Sequence, residues 1–80
     1  MELSLIQGRF RRQDAIDILT RMVHVKISFH ESRIQGSSNE DDIKFRESKI
    51  KQLQRELYDC VQQIRKNESD WIELSAAVRL

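Results

Sequence analysis

Two histidines, one cysteine and a cluster of three arginines are the side chains of this 80-residue chain with chemistry to offer. Their spacing withholds most of it. His24 and His30 are six apart, which on a helix turns them roughly 240° from one another, so they cannot grip one metal ion together. No His-Glu-x-x-His pattern accompanies them. Cys60 is the only cysteine, which excludes an intrachain disulfide and a thiolate metal cluster. Neither a glycine-rich phosphate loop nor a serine, histidine and acid set occurs. The expectation is a protein with no catalytic residues, no cofactor and no metal.

Contact chemistry remains. Arg9, Arg11 and Arg12 surround Phe10, a grouping that can hold phosphates or stack on a base. Four residues with no basic stripe behind them make nucleic-acid binding a lesser alternative, and a solvated lead-in to a helix is the simpler reading. His30 suits a pH-sensitive or general-base role. Its place on an apolar stripe fits better with a ring packed in a seam and hydrogen-bonded to a neighbour. Lys26 and Arg33 fall between two apolar stripes, where they snorkel over apolar surface or pair with an acid of helix 2 or of a second subunit. Arg46 occupies a core heptad position beside the turn, fixing register or marking the open end of the seam. Cys60, on the same seam, is expected to act as a small buried hydrophobe. Of the large amphipathic residues Tyr58 and Trp71, the latter sits where helix 2 meets the tail. It anchors an interface or packs across the chain corner.

These side chains need elements to place them. Residues 12–35 read as helix 1. With Ile16 at zero and roughly 100° per residue, Ile16, Leu19, Val23, Ile27 and Ile34 form one stripe. A second stripe, Ile18, Met22, Val25 and Phe29, falls at roughly 180–240° on the same wheel. Together they make an apolar arc about 200° wide, more than one partner helix covers. One stripe faces helix 2, and the other requires a second contact from the chain ends or another subunit. The helix start lacks a Ser, Thr or Asn cap, with Asp14 and Asp17 near the positive end of the dipole. Gly36 is placed to end the helix in the left-handed conformation.

A polar turn, residues 36–39, leads to helix 2 over 40–67. Ser37 with Glu40, and Ser38 with Asp41, satisfy the capping-box spacing, and Asp42 extends the acidic first turn. A heptad then runs through Ile43, Ile50, Leu57 and Ile64, with Leu53 and Cys60 at its second position. Arg46 and Asn67 stand at the ends of that second series. Glu40 with Lys44, Asp42 with Arg46, and Glu47 with Lys51 are favourably oriented pairs. From 71 to 80 the period changes to two, which reads as a half-buried strand. A short third helix or frayed tail is the competing reading. Leu3 and Leu5 alternate likewise in the arm 1–10, and an antiparallel hairpin brings both termini to one end.

The chain is therefore expected to be mainly α, a single domain over 1–80. It is an antiparallel, coiled-coil-like two-helix hairpin with short terminal β-strands in β-α-α-β order. Pro is absent and the net charge is only +1, which provides no electrostatic footprint for nucleic acid or an anionic membrane. The N-terminus is not a signal peptide and no stretch is long enough to span a bilayer. One lone thiol fits a reducing, cytoplasmic compartment. A hairpin of this size has one seam and rarely gains more than about 3–5 kcal/mol from it. The functional expectation is a non-enzymatic interaction or structural module that dimerises into a four-helix arrangement. Ile18, Met22, Val25 and Phe29, with Lys26, Arg33 and Trp71, are its expected interface. The alternatives are an adaptor that receives a partner protein's helix and the weak nucleic-acid binder above.

Overall fold

The computed structural model describes residues 1–80 as β1 (Glu2–Arg11), α1 (Arg12–Gln35), α2 (Glu40–Lys66) and β2 (Trp71–Arg79). The β-α-α-β order and the helix limits agree with the sequence periodicities. The tail is a strand, and both strands are longer than short terminal arms, at ten and nine residues.

β1 and β2 pair antiparallel from Arg11↔Trp71 out to Glu2↔Arg79. Alternation places Ile72, Leu74, Ala76 and Val78 of β2 on one side of this ribbon. Opposite them, β1 carries apolar residues at Ile6 and Phe10, but also at Leu3, which is out of step. A one-residue bulge at Leu5 resolves the conflict: Ser4 pairs with Ala77 and Ile6 with Ala76, so Leu3 returns to the apolar side, opposite Val78. The other side is polar, with Arg9 opposite Glu73 and Gln7 opposite Ser75. Gly8 has a φ of 145°, a backbone region where a Cβ is strained.

The helices pack antiparallel along the inner stripe. Ile16, Leu53 and Ile64 are buried there, and Ala15 is fully enclosed near the junction with the ribbon. Ile43, Ile50 and Leu57 are half-buried, as the heptad requires. Cys60 departs from it and is exposed, while Val61 is half-buried in its place. A straight α-helix drifts about 20° per heptad from a 3.5-residue repeat. By the third heptad that drift has carried Cys60 off the seam.

Two other expectations about helix ends need correction. Gly36 is right-handed, with φ −89° and ψ −1°. The helix tightens in its last turn instead, where the Ser37 N–H donates to Ile34 O at 3.1 Å. The cap of α2 is Asn39, not a serine: its Oδ1 accepts from the N–H of Asp41 at 2.9 Å and of Asp42 at 3.1 Å. Asn39 is the last extended residue before the helix, so its short side chain lies within reach of the free donors. Ser37 takes a supporting part, its Oγ accepting from the Asn39 N–H at 3.2 Å.

Arg12 joins hairpin to ribbon. Its guanidinium donates to the carbonyls of Arg65 (2.6 Å), Asn67 (2.9 Å) and Ser69 (3.1 Å), and lies 3.6 Å from the Asp70 carboxylate. Its N–H also bonds Asp70 O at 2.9 Å. The uncapped start of α1 is thus held by the α2–β2 connection. The whole measures 47 × 33 × 14 Å, with a radius of gyration of 15.2 Å. A compact domain of this length has about 12 Å. The chain is essentially one layer thick.

Candidate functional site

The second stripe of α1 lies open. Ile18 and Met22 are half-buried, whereas Val25 is 70 % and Phe29 50 % exposed. Beside it the apolar side of the ribbon is also incompletely covered, with Leu3 and Leu5 exposed. Between ribbon and helix runs a groove of about 480 Å³ lined by Leu5, Ile6, Ile18, Met22, Val25 and Lys26. Exposure along the stripe rises from Ile18 and Met22 to Val25, so the groove opens away from the Arg12 junction. The bulge serves it directly, since the extra residue, Leu5, is one of its walls.

Lys26 and Arg33 have no ion pair within the chain. Lys26 contributes a wall of the groove, as a snorkelling lysine does. Arg33 instead lies over the Phe29 ring, 5.2 Å from its centroid. Phe29 also meets His30 edge-on at 5.8 Å and Arg46 at 5.8 Å. Phe29 therefore extends the stripe toward the turn but does not line the groove. His30 is held in the seam, its Nδ1 3.1 Å from the Arg46 guanidinium, which also meets Asp42 at 3.3 Å. Arginine only donates, so Nδ1 accepts and the ring proton sits on Nε2.

Trp71 does not join this surface. As an odd-numbered residue of β2 it lies on the polar side of the ribbon, with Arg9 at 5.4 Å and Arg11 at 4.4 Å from its ring centroid. The arginine cluster is divided by the same alternation. Arg9 and Arg11 flank Trp71, Phe10 faces the other way toward α1, and Arg12 is committed to the α2–β2 carbonyls. Arg11 also pairs with Asp70 at 3.0 Å. What sequence reasoning missed was Arg12 as a strut, Ala15 as the enclosed residue at the junction and Leu5 as a groove wall. The parity conflict between Leu3 and Ile6 was the available signal for the last.

A second hollow of about 320 Å³ is lined by Phe10, Asp14, Asp17, Ile18 and Arg21. Its charged groups all come from one helical face, and Gln13 Nε2 already donates to Asp17 at 2.9 Å. No helix is long and apolar enough to cross a membrane. Comparison with family models, curated proteins and solved structures finds no match.

Proposed function

We propose that the chain is a non-enzymatic, self-associating interaction module whose second copy covers the outer stripe of α1 and the groove beside it. The observation that carries this reading is surface. The single chain exposes 6453 Å², whereas a folded monomer of this mass exposes about 5,000 Å². The excess is of the order that a stable dimer buries from each partner. Part of it is apolar and contiguous: Val25, Met22 and Ile18 on the helix, Leu5 and Ile6 on the strand. The walls of the groove carry one charge, Lys26, and hydrocarbon otherwise, a composition suited to burying a hydrophobic surface rather than to positioning a reacting group. The lone thiol accords with a reducing, cytoplasmic setting.

The expected state is a dimer in which the two α1 stripes form the centre of a four-helix arrangement. Val25→Glu places a carboxylate there, and removing it from water without a partner costs several kcal/mol. Sedimentation equilibrium should show the native chain as a dimer and Val25→Glu as a monomer that retains its helical circular dichroism. A native chain that sediments as a monomer at all concentrations would favour instead a groove that receives another protein's helix. A dimer that tolerates Val25→Glu rules out this face.

A further inference from the structure

The outer edge of β2 has a regularity that the groove does not explain. The Leu80 N–H donates to Met1 O at 2.8 Å and the Met1 amine to Leu80 O at 3.0 Å, so this pair exchanges both bonds. At the other end the Arg12 N–H donates to Asp70 O. Even-numbered residues of β2 thus turn their backbone groups to β1. Odd-numbered residues, Trp71, Glu73, Ser75, Ala77 and Arg79, turn theirs outward. The N–H of Trp71 is taken by Ser69 Oγ at 3.1 Å, which leaves the N–H groups of Glu73, Ser75, Ala77 and Arg79 as a row of free donors between free carbonyls. Such a row is a template for another strand unless proline, charged side chains or a bulge blunt it. β2 has no proline and no bulge, and its two charges, Glu73 and Arg79, are of opposite sign and can complement one another across a symmetric pair. The β1 edge is interrupted by the bulge at Leu5 and by the positive φ of Gly8.

We propose that β2 pairs antiparallel with the β2 of a second copy about a two-fold axis at Ser75, making a four-stranded sheet in the order β1-β2-β2-β1. The register follows from three constraints. The apolar and polar sides of the two ribbons match only when even residues meet even and odd meet odd. Centring on Ser75 engages the whole of Trp71–Arg79 and every free donor, whereas a centre at Leu74 or Ala76 shortens the overlap. A centre at Glu73 sets that carboxylate against its own copy. About Ser75, Glu73 instead faces Ala77 and lies diagonal to Arg79 of the second copy, and Trp71 faces that Arg79. Arg79 is free to serve both, since its side chain is 84 % exposed and lies 3.6 Å from Glu2, a contact of little strength. A two-stranded ribbon is marginal in water and three or more strands with one apolar face are not. The pairing joins two such faces into one.

This inference rests on self-association but not on the α1 face. Hydrogen-bonded antiparallel partners have Cα atoms about 5.5 Å apart, within disulfide range. In a Cys60→Ser background, Ser75→Cys should convert mostly to a covalent dimer under diamide, while Ser4→Cys on β1 stays monomeric. In the native chain, the amide protons of Ser75 and Ala77 should exchange more slowly as protein concentration rises. Ser75→Cys that stays uncrosslinked, or crosslinks no faster than Ser4→Cys, overturns the pairing. So do Ser75 and Ala77 amides that exchange fast at every concentration. Crosslinking that persists with Val25→Glu added upholds the strand pairing, and the sedimentation of Val25→Glu then decides the α1 face separately. Loss of the dimer through Val25→Glu, with Ser75→Cys uncrosslinked in the Cys60→Ser background, upholds the α1 face and overturns the strand pairing.

Discussion

Gly8 and Gly36 are the only glycines, and they differ in what they require. Gly8 holds a φ of 145° in the middle of β1, where an added Cβ would meet nothing closer than the Phe10 ring at 3.9 Å. Conformation, not room, demands glycine there. Gly8→Ala should cost about 1–3 kcal/mol in chemical denaturation. Gly36 is right-handed and an added Cβ would make only ordinary contact, 3.9 Å from Ser32 O, so Gly36→Ala should be neutral or stabilise by up to about 1 kcal/mol through the unfolded chain. Ala15, with no exposed surface, should resist enlargement. Ala15→Leu forces extra volume into the junction and is expected to cost about 1–3 kcal/mol. His30 provides a spectroscopic check of the seam. Its side-chain nitrogen shifts should show the proton on Nε2, and Arg46→Ala should release that preference.

At the scale of elements, the junction between hairpin and ribbon depends on one guanidinium more than on the ion pairs around it. Arg12 satisfies three carbonyls of the α2–β2 connection with a fork that lysine cannot reproduce. Arg12→Ala should destabilise by about 1–3 kcal/mol, and Arg12→Lys should recover little. Arg11→Ala is expected to change stability by less than about 1 kcal/mol, because its bond to Asp70 is exposed and its stacking on Trp71 is a surface contact. Thermal unfolding of the three variants side by side tests the ranking. The α2 cap is a second such contrast. Asn39→Ala should cost about 1 kcal/mol and Ser38→Ala almost nothing, although both serines of the turn have capping-box spacing.

The molecule as a whole is thin, with only Ala15, Ile16, Leu53 and Ile64 buried. A single layer leaves each element with an uncovered side, and a second copy is the economical way to supply the other layer. Association of this kind buries apolar surface and should vary little with salt. Phosphate contacts weaken steeply as salt rises, so a salt-dependent shift of a nucleic-acid probe would instead point to Arg9 and Arg11, since the donors of Arg12 are occupied. The expected outcome is a dimer mass unchanged between low and high salt, with no probe shift at either.

Much of this architecture was legible in the residues because it rests on short-range periodicity. The alternation of Ile72, Leu74, Ala76 and Val78 makes a strand whatever lies beside it. The two stripes of α1 and the heptad of α2 likewise announce helices and the hairpin between them. The open stripe of Ile18, Met22, Val25 and Phe29 was also readable, since an arc that wide exceeds one neighbour. What only the tertiary structure decided depends on partners distant in the chain. Leu3 recovers its side of the ribbon through a bulge defined against Ala76 and Ala77. Arg12 finds carbonyls more than fifty residues away. Trp71 leaves the expected interface because the pairing of Arg11 with Trp71 fixes which side of the ribbon it occupies. Cys60 leaves the seam because a 3.6-residue turn accumulates a phase error against a strict heptad. Local pattern selects the elements, and the distant contacts select which of their faces remain open.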